Sequence, residues 1–426
     1  MEIIKKALKS RKFYELAFIA FGLISAGLWL IGLLKNGENS TQMGIFFGNC
    51  QNSFADTLNV VGYSAQKDVY HNTVFSDLSE KAYPPLTYML MYFFSKFIDV
   101  DKYYANEWFV DMFKDEQFLV MFIIVAIFVT LFIYEAVRLS KNGSNAIKVF
   151  TAIVVCASAP MIFSYQRGNT IMLVLALELL YILWYDSDNK LKKEIALISL
   201  ALVAAFKMTP ALLGILLLYN KQWKDAIRAV IYGILAFFLP FLFFQGGFSN
   251  FSQMLTNMSL NVAAYNLRDG TTLMSIIAQF FDLDVSAVNI IKGISIGIAV
   301  ILLILAYFMP KRWEKIAAVT IALVACVPHS EYYNMLYLVP AFIAFLNEEE
   351  HEYSDIVMLV AIFAMINDFQ CDWTIYFFNY HLTVFLLTVL MLVKGVMHLV
   401  KWIKGRKNRK LSTEPDEGMA AESISG

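Results

Sequence analysis

A chain of 426 residues that is 59% hydrophobic and only 16% charged has too little polar surface to cover a soluble fold of its size. Its 34 Lys and Arg balance 35 Asp and Glu, a net charge of −1 that excludes general nucleic-acid binding. Four cysteines without a Cys-x-x-Cys are too few for a disulfide framework. The roughly 250 apolar positions would fill roughly a dozen membrane spans of about 20 residues each. They run continuously instead of alternating, so the expected fold class is all-α, a polytopic transmembrane helix bundle.

The first apolar run, Tyr14 to Leu34, follows a basic head of Lys5, Lys6, Lys9, Arg11 and Lys12. It is too long for a signal peptide and lacks a small-x-small cleavage site, so it is expected as a retained span. The last run is followed by Lys401, Lys404, Arg406, Lys407, Arg409 and Lys410, so both termini are expected in the cytoplasm. Residues 35–116 form a first outer loop. Within it, the apolar stretch 86–98 is too short to span and reads as an interfacial helix, followed by an acidic stretch over 99–116. Spans follow at 117–137, 149–164 and 170–185, the last two meeting outside at Gln166-Arg167-Gly168-Asn169. The run 195–219 contains Lys207 and Pro210 and is expected as two short helices meeting on the outer side. Further spans near 227–244, 288–309, 315–328, 334–346, 355–368 and 381–400 bring the count to about twelve, with 245–287 as a second outer loop. Residues 1–410 read as one transmembrane domain and 411–426 as a disordered cytoplasmic tail. The loop 347–355 is the misfit, with four glutamates and no Lys or Arg on a side expected to be basic.

Lys/Arg bookkeeping alone gathers the unusual polar residues on the outer face. These are Asp56 and Tyr83-Pro84-Pro85 in the first loop, Arg167 at the hairpin tip, Lys207 at the helix break, Arg268 in the second loop, and His329 and Glu331. Ionisable groups at membrane depth cost about 2.5 kcal/mol or more, which makes them functional candidates. Each has a bland reading: Asp56 as an N-cap, Pro84-Pro85 as a helix start, Arg167 as a snorkelling cation, His329-Ser330-Glu331 as a wet turn. Their joint placement singles them out.

The order Asp56, Tyr83-Pro84-Pro85-Leu86, Arg167-Gly168-Asn169-Thr170, Ala205-Phe206-Lys207-Met208-Thr209-Pro210 and then Tyr219 to Lys224 resembles glycosyltransferase family 87. The resemblance covers about residues 50–225, with a looser echo at Pro328-His329 and Tyr332 to Pro340. Two departures stand out: the turn at 166–170 reads Gln-Arg-Gly-Asn-Thr against the family's usual Gly-Gln-x-Asn, and 99–116 looks like an insertion.

The resemblance implies a GT-C-type membrane enzyme that moves a hexose, mannose foremost, from a polyprenyl-phosphate donor to a lipid or glycan acceptor outside the cell. Asp56 is then expected as general base of an inverting transfer. Arg167, Asn169, Lys207, His329, Tyr83, Arg268 and Glu331 are expected to bind the donor's phosphate or sugar. No metal is implied and no other cofactor beyond the lipid-linked co-substrate, although Asp56 with Asp68 leaves a cation site open. Three Asp-x-Asp patterns, at 99–101, 186–188 and 282–284, read as chance. Cys50 and Cys371 fall on the same outer side. Few cysteines and no retention signal point to a bacterial plasma membrane. Two other classes fit the spans and buried charges: a transporter or lipid flippase, and a surface-polysaccharide polymerase or ligase. The unlike halves argue against the first, and the single arginine of the 245–287 loop against the second.

Overall fold

The computed structural model describes residues 8–37, 53–103, 112, 114–264, 267, 270–282, 285–327, 330–367 and 378–411. Arg268, His329, Cys50, Cys371 and the tail from 412 lie outside the described residues. Among the described residues the regular structure is helical apart from one isolated bridge between Ser10 and Glu350.

From the N-terminus, α1 (Arg11–Asn36) leads to two short helices of the first long loop, α2 (Ala55–Ser64) and α3 (Pro85–Ser95). Then come α4 (Glu116–Ser140), the pair α5 (Asn145–Cys156) and α6 (Ala159–Arg167), α7 (Ile171–Trp184) and α8 (Lys190–Phe206). After a break, α9 (Ile215–Tyr219) and α10 (Trp223–Phe238) precede the second long loop with α11 (Asn250–Ala264) and α12 (Leu273–Phe280). The chain continues through α13 (Val285–Phe308), α14 (Arg312–Ala325), α15 (Val339–Leu346), α16 (Ile356–Ile366) and α17 (Phe378–Leu411).

Each apolar run predicted to span falls on helix, but the helices come in two lengths. Among the described residues five are long and apolar enough to cross a membrane: Arg11–Asn36, Glu116–Ser140, Trp223–Phe243, Ser286–Phe308 and Phe378–Arg406. The pair α5 and α6, bent by 48°, makes a sixth if counted as one span. The chain is a multi-pass membrane protein. The remaining apolar helices are short; Pro210 lies where the 195–219 run breaks after α8, and Pro340 sits in the first turn of α15.

The two lengths also differ in burial. Only 11% of the apolar window of α1 or of α4 is buried within the protein. Their outward faces, such as Leu16, Leu23, Ile123 and Phe128, are exposed as lipid-facing side chains are. By contrast α7, α14, α15 and α16 bury most of their residues and form the core, with Leu175, Trp313, Leu336 and Ile362 at its centre. A smaller core, including Leu58, Tyr70, Tyr88, Phe118, Phe241 and Met254, lies beneath the first long loop.

One end of the bundle is bound by charge. Arg11 pairs with Glu349 at 2.6 Å, Lys141 with Glu15 at 2.6 Å, Lys311 with Glu348 at 3.9 Å and Lys394 with Glu352 at 2.8 Å. The acidic 347–355 loop therefore sits among the lysines and arginines as their counter-charge, which accounts for its composition. At the opposite end, Phe54 N–H donates to Gln166 O at 2.6 Å, and Thr87 Oγ1 donates to Phe206 O at 2.9 Å. Those bonds draw the first long loop onto the tips of α6 and α8, where the candidate residues lie.

Candidate active site

The local sequence explains why Asp56 points where it does. Phe54 takes a left-handed conformation (φ 58°), which costs a non-glycine residue roughly 1–2 kcal/mol. Its N–H bond to Gln166 O and its ring packed 4.2 Å from that of Phe122 offset the cost. The turn starts α2 with Asp56 in its first turn. On the facing side, α6 ends at Arg167 and Gly168 is left-handed (φ 66°), closed by bonds from Gly168 N to Tyr165 O and Asn169 N to Ser164 O, both 3.1 Å. Thr57 Oγ1 donates to Gly168 O, locking the two turns together. A Cβ on residue 168 would stand 2.5 Å from Thr57 Oγ1, so the close approach requires glycine.

The docked turns bring three predicted residues into contact. Asp56 Oδ1 accepts from Arg167 Nε at 3.1 Å and Nη2 at 2.7 Å. Asp56 Oδ2 accepts from Asn169 Nδ2 at 2.5 Å. Asn169 is buried, and its own Oδ1 takes the Ile171 N–H at 2.9 Å, so its amide orientation is fixed by partners on both sides. The Asp56 carboxylate and the Arg167 guanidinium keep 12% and 27% of their side-chain surface exposed, enough to meet a substrate.

Lys207 stands at the end of α8, where the backbone turns extended (φ −143°, ψ 123°). Its Nζ lies 4.7 Å from the centre of the Tyr333 ring and makes no hydrogen bond or ion pair among the described residues. It lies within electrostatic reach of Asp56 and Glu331. Tyr83 sits close enough to Asp56, Glu80 and Arg167 to feel all three, and burial raises its phenol well above the ordinary value, with the nearby carboxylates adding to the rise. Its backbone is held by Tyr70 Oη donating to Tyr83 O at 3.1 Å and Tyr83 N–H donating to Tyr88 Oη at 3.2 Å. Asn257 of α11 donates to Tyr70 O and Lys81 O at 3.0 and 3.1 Å, clamping the second long loop over the first.

The structure thus brings together Asp56, Tyr83, Arg167, Asn169, Lys207 and Glu331. Arg268 and His329 fall outside the described residues. Sequence reasoning missed Tyr333 as a wall of the site and Thr57 as its latch. Only the position of Tyr333, two residues after Glu331, could have marked it among 22 tyrosines.

A cavity of about 200 Å³ opens between α3 and α4, lined by apolar side chains such as Leu90, Phe94, Met121, Phe122 and Val129. One end is lined by Thr57 of α2 and by Gly168, Asn169 and Thr170 of the turn that carries the Asp56 partners. The groove is apolar and ends beside Asn169, whose side chain bonds Asp56.

The family model of glycosyltransferase family 87 matches residues 82–330, more than half of the chain. The chain belongs to glycosyltransferase family 87. As a family 87 member it is a membrane glycosyltransferase. The matched span contains Tyr83, Arg167, Asn169 and Lys207 but starts after Asp56, so the contact between Asp56 and Arg167 joins the family segment to the loop that precedes it. No curated protein and no solved structure matches this chain.

Proposed function

We propose that this family 87 enzyme transfers a hexose, mannose foremost, from a polyprenyl-phosphate donor to a lipid or glycan acceptor, with inversion. The reading places the site on the extracytoplasmic face of a bacterial plasma membrane, both termini inside, with about twelve passes counting the short helices. The observation that carries it is the convergence of Asp56, Arg167 and Lys207, from three separated segments, beside an apolar groove ending on Asn169.

Asp56 accepts the proton of the acceptor hydroxyl while that oxygen forms its bond to the anomeric carbon. The bond from that carbon to the phosphate oxygen breaks, and its electron pair leaves on the polyprenyl phosphate. Arg167 and Lys207 stabilise the charge that grows there, as preorganised cations away from bulk water. The prenyl chain occupies the groove between α3 and α4. Asn169 holds Asp56 in place, and the rings of Tyr83 and Tyr333 wall the sugar. Asp56 then releases its proton to solvent.

The test is incubation of purified protein with radiolabelled polyprenyl-phosphate mannose and a membrane lipid extract. Label appearing in an acceptor with release of polyprenyl phosphate supports the reading. Translocation of the donor across a vesicle membrane without bond cleavage would replace it with a flippase.

A further inference from the structure

Asp56 uses only part of Arg167. The Nε and Nη2 atoms, which form one edge of the planar guanidinium, both point at Oδ1. The second edge, formed by Nη1 and the other Nη2 proton, makes no hydrogen bond among the described residues, and the side chain keeps 27% of its surface. Lys207, the other cation of the site, stands over Tyr333 and is not bonded to the carboxylate.

We propose that Arg167 spans from base to leaving group, one edge holding Asp56 and the other receiving the donor's phosphate oxygens at the same time. The inference rests on the transferase reading above. Inverting displacement needs the base, the attacking oxygen, the anomeric carbon and the leaving oxygen in near alignment. A rigid fork shared by the two outer members fixes their separation, so base and phosphate are set together when the donor arrives. Lysine carries the same charge but as a point with rotatable donors, and it cannot hold two partners at a fixed angle.

The role separates from simple phosphate binding by a split in kinetics. Arg167→Lys should bind farnesyl phosphate within about threefold of the wild type, because the charge is kept, yet lose about 100-fold in kcat for transfer from polyprenyl-phosphate mannose. Arg167→Ala should regain at least tenfold in rate on addition of guanidinium and gain nothing from ethylammonium. An Arg167→Lys enzyme that turns over within about threefold of the wild type, or equal rescue by ethylammonium, overturns the inference. Both variants keep the Asn169 bond to Asp56, and either decides alone if the other fails to fold. Asp56→Asn run beside them separates the two levels: an inactive Asp56→Asn with a fully active Arg167→Lys removes only the spanning role, whereas a fully active Asp56→Asn removes the transferase assignment.

Discussion

Asn169 donates its side-chain amide to Asp56 Oδ2 at 2.5 Å while its carbonyl oxygen takes the Ile171 N–H at 2.9 Å. One buried side chain therefore both aims the candidate base and starts α7. Replacing it with alanine leaves a buried N–H without its partner, at about 1–3 kcal/mol. Asn169→Ala should lower turnover about 100-fold by letting the carboxylate rotate, with farnesyl phosphate affinity nearly unchanged. A large loss of affinity with normal turnover would instead make Asn169 a donor ligand.

Gly168 carries the approach of the two turns. Alanine there meets Thr57 Oγ1 at 2.5 Å and Phe122 at 3.1 Å, in a left-handed conformation that costs roughly 1–2 kcal/mol more. Gly168→Ala should push α2 off α6 and abolish transfer while the long helices stay folded. Circular dichroism and size-exclusion chromatography in detergent, beside the transfer assay, check both halves. Wild-type activity in Gly168→Ala would show that the docked turns are not needed.

Lys81 is buried in the first long loop, donating to Val74 O at 2.7 Å and Ser76 O at 3.0 Å, with Nζ 3.6 Å from the Tyr63 ring centre. Burial pulls its ammonium down to about 8 from 10.5, against Asp77 and Glu80, which pull it up. Below pH 8 folded and unfolded chains both keep the proton. Between about 8 and 10.5 only the unfolded chain keeps it, so stability contributed at this site rises with pH through that window. Thermal unfolding at pH 7.5 and 9.5 should show the wild type gaining relative to Lys81→Met on going up. A relative loss would give the shift the opposite sign.

At the other end of the bundle, Lys394 stands 3.0 Å from Glu314, 2.8 Å from Glu352 and 2.8 Å from Asp355. Glu314 and Asp355 are fully buried, and among the described residues Lys394→Met leaves them only His398 at 3.2 Å on Glu314, and His351 at 3.3 Å with the Glu352 N–H on Asp355, at up to about 3–5 kcal/mol. The melting temperature in detergent should fall while turnover per folded molecule stays normal, since the cluster lies at the opposite end from Asp56. An unchanged melting temperature would mean that His398, His351 and the Glu352 N–H suffice to hold the two carboxylates.

Much of this was legible in the sequence, for identifiable reasons. Long apolar runs report lipid, so α1, α4, α10, α13 and α17 appear where hydropathy puts them. The break at Lys207 was legible because Pro210 lacks an amide hydrogen and a lysine is costly in an apolar run. Lys/Arg counting left the 347–355 loop unexplained, since its glutamates answer cations distant in sequence, Arg11, Lys311 and Lys394. The same blindness to tertiary partners hid the Thr57 latch and the ring of Tyr333. The way Arg167 divides its two edges is a matter of side-chain orientation, which no spacing in the sequence encodes.

The most direct measurement replaces Asp56 with asparagine, which keeps size and shape and removes the carboxylate. Transfer from polyprenyl-phosphate mannose should fall by about 10²–10⁴-fold with farnesyl phosphate still bound and the helices still folded. Transfer at the wild-type rate by a folded Asp56→Asn protein would contradict the account.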